Sequence, residues 1–324
     1  MELTPIKAYV ADYIDDFHQQ FDGVLKSKSE WLTEAVQHLA TATGKQVRPL
    51  LTSLIGKLFV EDLPQKTIDA AVLLELIHTA TLIHDDVIDE ANTRRGVSTL
   101  NAIYDNRIAV LMGDFILSSA LLKAISLQDL RVMNIISSLG RDLTEGEIKQ
   151  YETADKVLLS EETYFEVIHQ KTAILFMACA EIGAMSVDVS QDDIDRVRLF
   201  GEKLGYAFQI RDDIFDYYKS NDVGKPTGND IREGKITLPL LYALQNTVSM
   251  EQEACMAILK QKHLSQEDVA RLISFAVDNG GIEYATKRMQ GFVDEAKALL
   301  EIYPCNEAHK YLDTLADFIV ERKR

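Results

Sequence analysis

The stretch Lys66-Thr67-Ile68-Asp69-Ala70-Ala71-Val72-Leu73-Leu74-Glu75-Leu76-Ile77-His78-Thr79-Ala80-Thr81-Leu82-Ile83-His84-Asp85-Asp86-Val87-Ile88-Asp89-Glu90-Ala91 decides the fold class. It is nearly all apolar and follows helical rather than alternating periodicity, which predicts a helix buried on most sides, in the middle of a bundle. Outward from it, prolines occur only at Pro5, Pro49, Pro64, Pro226, Pro239 and Pro304, so none interrupts the chain between 64 and 226. No strand pattern of any length competes. The reading is all-α, a single-domain antiparallel helix bundle over residues 1–324.

The spacing predicts an amphipathic helix over 6–22 and another from Trp31. A turn at 41–49 follows, with Gly44 suited to a C′ position and Pro49 to an N1 position. Further helices are expected over about 101–127, around Glu145-Gly146-Glu147, over 161–185, and from an N-cap at Asp192 to Asp216. Gly201 and Gly205, four apart, permit close helix packing. Residues 219–235 read as a loop carrying Lys225 and Lys235, of the length used for lids and binding loops.

Composition limits the partners. The chain has 324 residues, 47% hydrophobic, and a formal net charge of −17, which argues against nucleic acid. Cys179, Cys255 and Cys305 have no metal-type spacing and cannot all pair, which fits the reducing cytoplasm. The start lacks the basic and apolar regions of a secretory signal, and the most apolar run, 70–83, is broken by Glu75 and His78. A cytoplasmic location with at most peripheral membrane contact follows as the expectation.

The chemistry lies in carboxylates. On a helix, residues four apart lie about 40° apart around the axis, so Asp85 and Asp89 share a face, with Asp86 beside them. They sit at a helix C-terminus, where the macrodipole opposes them. Three clustered carboxylates repel unless a hard cation neutralises them. A second triad, Asp212-Asp213-Ile214-Phe215-Asp216, lies on an equally apolar helix. Two triads suggest acidic walls facing across one cavity, suited to Mg2+ bridging protein carboxylates to a diphosphate. Beside such a cavity, Arg94 and Arg95 are candidate diphosphate clamps, because guanidinium forks match phosphate oxygens. Lys171, within an apolar helix, needs a cavity or a partner. Gln209 lies one turn before Asp212 and Asp213.

The segment from Leu76 to Asp86 with Arg94-Arg95-Gly96, then Val110-Leu111-Met112-Gly113-Asp114-Phe115, Gln209 to Asp216, Gly224-Lys225-Pro226 and Gly234-Lys235-Ile236-Thr237-Leu238-Pro239, resembles the trans-polyprenyl diphosphate synthases, in particular their long-chain, octaprenyl-type bacterial members. The motifs occur in the family's order and cover nearly the whole chain. The resemblance implies an all-α bundle around a deep central cavity, usually as a homodimer. It implies that Asp85, Asp86, Asp89, Asp212, Asp213 and Asp216 hold about three Mg2+ ions against an allylic diphosphate. Arg94, Lys171 and Lys225 would clamp that diphosphate, with Lys235 nearby. Lys45, Arg48, His78 and Arg95 would bind isopentenyl diphosphate, while Thr172 and Gln209 lie against the reacting carbons. One departure stands out: Thr43-Gly44-Lys45-Gln46-Val47-Arg48-Pro49 replaces the family's Gly-Gly-Lys-Arg-x-Arg-Pro.

The implied reaction is ionisation of the allylic diphosphate, attack by the isopentenyl double bond, and loss of a proton. The growing tail would run down the helix below Asp85. Ala80 and Thr81 lie one turn down, about 6–7.5 Å along the axis, and Ile77 a turn deeper. Both upper residues are small, so a long product is expected, about C30 to C45 and C40 on the resemblance. Four other readings compete. The chain could be the catalytic subunit of a heterodimeric prenyl synthase, a terpene cyclase, or a non-catalytic metal-binding bundle. The last alternative is a di-iron carboxylate bundle built on the two Glu-x-x-His pairs Glu75/His78 and Glu166/His169. The intact second triad argues against the cyclase, the intact cationic set against the non-catalytic bundle, and the di-iron reading leaves both triads unused.

Overall fold

The computed structural model describes residues 3–41, 44–157, 159–218, 228–261 and 263–322. The chain folds into helices α1 (Thr4–Tyr9), α2 (Ala11–Val24), α3 (Glu30–Thr41), α4 (Val47–Phe59) and α5 (Gln65–Ile88). A short hairpin, β1 (Thr93–Arg94) and β2 (Val97–Ser98), leads to α6 (Leu100–Ile103), α7 (Asn106–Ser126) and α8 (Leu130–Lys156). Next come α9 (Glu161–Ile168), a π turn (His169–Ala173), α10 (Ile174–Met185) and α11 (Gln191–Phe215). The chain continues with α12 (Asn229–Arg232), α13 (Leu238–Asn246), α14 (Met250–Leu259), α15 (Gln266–Asp278), α16 (Gly281–Leu300) and α17 (Glu307–Glu321).

Helix α5 is central, as its composition requires. It packs on α7, α4, α10 and α2, while α11 packs on α10 and α16. Val72, Leu73, Leu74, Leu76, Ile77, Ala80 and Ile83 are buried along α5. Each large apolar side chain removed from water contributes about 1.5–3 kcal/mol before the entropy of ordering is counted. Helices α5 and α7 are each long and apolar enough to cross a membrane, but 61% of the α5 window and 39% of the α7 window is buried in the bundle.

Several boundaries differ from the sequence expectations. The first helix breaks at Val10 (φ −118°), which lets Ile6, Val10, Tyr13, Ile14 and Phe17 all face the core. The helix expected over 101–127 is split because the Asp105 carboxylate accepts the Ile108 N–H at 2.9 Å, capping α7. Ser190, not Asp192, caps α11, its hydroxyl accepting the Asp193 N–H. Pro49 is the third residue of α4, still inside the first turn, where no N–H is required. Gly44 lies against the Arg95 guanidinium, the movable end of that side chain, which a Cβ there would have to displace. The two-residue strands were too short to leave an alternating pattern. Their turn, Arg95 and Gly96 at φ 54° and 81°, has the mirror-image geometry that tight hairpins prefer.

Gly201 does permit close packing: a Cβ there would lie 2.6 Å from the Phe176 carbonyl oxygen. Alanine gains up to about 1 kcal/mol of helix propensity over glycine, yet overpacking costs about 1–3 kcal/mol. Gly201→Ala is therefore expected to lower the urea midpoint. A raised midpoint would show that α10 and α11 can separate freely.

Candidate active site

Helix α5 ends at Ile88, placing Asp85 and Asp86 in its last turn and Asp89 at the C-cap. No hydrogen bond reaches the Asp85 carboxylate among the described residues. Burial, with Glu147 close by, raises its pKa to about 6. Asp86 is buried and accepts Arg94 Nε at 2.7 Å, an arrangement set by the hairpin. On the other wall, Arg322 Nη2 donates to Asp212 Oδ1 at 2.7 Å. Asp213 is buried and accepts the Tyr164 hydroxyl at 2.5 Å and Gln209 Nε2 at 2.8 Å. Burial and the neighbouring Asp230 push its carboxyl up. Asp216 accepts the backbone N–H groups of Asn229 and Asp230 at 2.9 and 3.0 Å, at the start of α12.

The two walls border one space. Lys235 Nζ lies 3.9 Å from Asp89 Oδ1, and Asp230, behind the second triad, also acts on its charge. Lys171, Gln209, Asp213, Asp230 and Lys235 line a cavity of about 120 Å3 with Tyr164. Lys171 Nζ is held by Glu147 Oε1 at 2.6 Å and Gln150 Oε1 at 2.9 Å. Thr172 donates its hydroxyl to Gln209 Oε1 at 2.6 Å. Lys225 lies outside the described residues.

A second cationic group forms around the start of α4. Lys45 Nζ sits over the Phe318 ring at 4.9 Å, and the Arg48 guanidinium over Phe176 at 5.4 Å. Arg48 Nε is shielded from solvent without a hydrogen-bond partner among the described residues. Burial and then Arg48, Arg95 and Arg94 push the His78 pKa well below its usual value, which keeps the ring neutral. Arg95 feels both Glu75 and Asp212, which ties this pocket to the second triad. Gln46, in the altered loop, takes φ 58°, and Lys45 and Arg48 on either side of it both feel Arg95 and Asp212. Below Asp85, Ala80 and Ile77 are buried, while Thr81 is half-buried and donates its hydroxyl to the His78 carbonyl.

The residues fit a divalent cation only in part by themselves. Among the described residues no three His, Cys, Asp or Glu side chains converge as a ready-made cage. Mg2+ is commonly held by one or two carboxylates plus phosphate oxygens and water. The buried Asp85 carboxyl, which no hydrogen bond reaches among the described residues, on one wall and Asp212, held by Arg322, on the other suit that requirement. The di-iron alternative fails: Glu166 pairs with Lys149, His169 with Tyr206 and Glu202, and Glu75 lies among Arg48 and Arg95. The four side chains do not meet.

Sequence reasoning gave no role to Glu147, Gln150, Tyr164, Asp230 or Arg322. Only Glu147 carried a visible signal, a carboxylate beside Gly146. Gly146 is glycine because α8 lies against Gln170 and Lys171.

The chain matches the family model described as Polyprenyl synthetase over residues 29–276. An octaprenyl diphosphate synthase of Escherichia coli (strain K12) is 33% identical over 304 residues, 93% of each chain. A heptaprenyl diphosphate synthase component 2 of Geobacillus stearothermophilus is 32% identical over 323 residues, 99% of each. Among solved structures, a polyprenyl synthase from Caulobacter crescentus CB15 complexed with calcium and isoprenyl diphosphate superposes with a TM-score of 0.93 at 31% identity, covering 100% of this chain and 98% of that one. A geranylgeranyl pyrophosphate synthase from Bacteroides thetaiotaomicron gives 0.85 at 38% identity, covering 98% of each. With its helical bundle, paired carboxylate walls and cationic pockets, the chain belongs to the polyprenyl synthetase family and is a polyprenyl diphosphate synthase, a prenyltransferase.

Proposed function

We propose that this enzyme is a Mg2+-dependent, long-chain trans-polyprenyl diphosphate synthase that condenses isopentenyl diphosphate repeatedly onto a farnesyl- or geranyl-type diphosphate. The supporting observation is the pair of carboxylate walls with cationic pockets on either side. Asp85, Asp89 and Asp212 would hold the ions, with Asp86, Asp213 and Asp216 fixing Arg94, Gln209 and the start of α12. Bound Mg2+ would supply charge stabilisation to the departing diphosphate. Lys171 and Arg94 grip that diphosphate, aided by Lys235 and, on the family pattern, Lys225. Lys45, Arg48 and Arg95 bind the isopentenyl diphosphate, and neutral His78 donates a hydrogen bond to it without adding charge. Thr172 and Gln209 face the reacting carbons, and the apolar walls exclude water, which would quench the allylic cation.

The product is assigned to about C30–C45, C40 being favoured by the octaprenyl-type motifs and by Ala80 and Thr81 one turn below Asp85. The relatives' names span longer and shorter products, so length rests on these residues. Incubating the purified chain with farnesyl diphosphate, isopentenyl diphosphate and Mg2+, then sizing the dephosphorylated prenol, tests the proposal. A C40 prenol is expected; a C15–C20 limit or no elongation would reject it.

The chain is proposed to act as one domain, in the cytoplasm, and as a homodimer. Support for the dimer is the exposed apolar face of α7, where Leu111, Leu122 and Ile125 are 62%, 70% and 59% exposed. A stripe of that kind suits self-pairing about a two-fold axis. Leu122→Glu is expected to shift the protein from dimer to monomer in sedimentation. A dimer unaffected by this change and by Leu111→Glu would place the interface elsewhere. The second reading, a catalytic subunit needing a small partner, is favoured by the Geobacillus relative being named a component. Activity of the chain alone excludes it.

A further inference from the structure

The π turn at 169–173 carries both Lys171 and Thr172. A π turn holds one extra residue and has poorer hydrogen bonding than an α-helix, so its geometry must be fixed from outside. Relaxation toward a regular helix would re-aim the side chains by up to one residue's rotation, about 100°. Helix α11 grips the turn twice. Thr172, the fourth residue, bonds Gln209. His169, the first, has Nδ1 at 3.0 Å from the Tyr206 hydroxyl and 3.1 Å from Glu202 Oε1. Glu202, Tyr206 and Gln209 are spaced by four and three residues, so they share one face of α11. On the opposite side, Gly146 lets α8 approach Gln170 and Lys171, so Lys171 reaches Glu147 and Gln150.

We infer that His169 is a positioning residue: its clip to Glu202 and Tyr206 anchors the π turn and thereby sets where Lys171 and Thr172 point. The inference rests on assigning Lys171 to the allylic diphosphate. Hydrogen bonding to His169 also holds the Glu202 carboxyl below its usual range, in keeping with a formed contact.

The test is a double-mutant cycle read as equilibrium binding, by calorimetry, of a non-reacting farnesyl thiolodiphosphate at fixed Mg2+. Lys171→Gln loses a charge-assisted bond and is expected to weaken binding about 10- to 100-fold. His169→Leu is expected to weaken it about 10-fold, and the double variant to be no weaker than Lys171→Gln within about twofold, because one effect runs through the other. In turnover, His169→Leu should lower kcat and leave KM for isopentenyl diphosphate unchanged, since that pocket lies at α4. Should His169→Leu fail to fold, Tyr206→Phe, which removes one oxygen, takes its place in the same cycle with a smaller, equally non-additive loss. Losses that multiply in the double variant, or wild-type binding by His169→Leu beside a weakened Lys171→Gln, overturn the clip alone. Wild-type binding by Lys171→Gln overturns the Lys171 assignment and the clip with it.

Discussion

Asp85→Asn is expected to lower kcat by about 10³-fold or more at saturating Mg2+, because metal-held charge stabilisation is worth several kcal/mol and each 1.36 kcal/mol is tenfold in rate. The substitution keeps side-chain volume and removes only the charge. Asp85 has no protein hydrogen bond to rearrange among the described residues, and its carboxyl is raised to about 6 by burial and by Glu147. Burial without a bonded partner is a cost that a divalent cation beside Asp85 would offset. Its neighbour behaves differently: Asp86 spends its charge on Arg94. Asp86→Asn should therefore act mainly through Arg94 and raise the allylic KM. Steady-state kinetics with both diphosphates separate the two. A kcat for Asp85→Asn within tenfold of wild type would remove Asp85 from the metal site.

Ala80→Phe is expected to shorten the product well below about C40, since the ring would stand about 7.5 Å below Asp85 on α5, in the path assigned to the tail. Ala80 is 1% exposed, so the new ring has no route to solvent and must occupy interior space. Thr81 is half-buried and its hydroxyl is engaged with the His78 carbonyl, so Thr81→Phe should act less completely. Chromatography of dephosphorylated products is the readout. An unchanged product length with Ala80→Phe would show that the tail runs along a different wall.

The all-α class and the central place of α5 were legible because an apolar, proline-free stretch has few other solutions. Both triads stood out as candidates because carboxylates on apolar helices are costly. The division of labour among those carboxylates was not, since it depends on partners distant in sequence: Asp213 meets Tyr164 of α9, and Asp212 meets Arg322 beyond α17. A break was missed where one side chain decides it, at Asp105, and the cap of α11 was placed two residues late, at Asp192 rather than Ser190. The π turn left no mark on periodicity, because one extra residue in a 25-residue apolar segment changes the pattern less than normal sequence variation does. The contact of Gly44 with the Arg95 guanidinium, fifty-one positions on, left no trace in the sequence.

The central claim is that the Asp85 and Asp212 walls hold divalent ions jointly with an allylic diphosphate. Anomalous diffraction from crystals soaked with Mn2+ and farnesyl thiolodiphosphate tests it directly. The expected result is Mn2+ peaks within bonding distance of Asp85 or Asp89 on one side and Asp212 on the other, sharing diphosphate oxygens, with the Arg322–Asp212 contact loosened. A diphosphate bound without ions, or ions confined to one wall, would contradict the account.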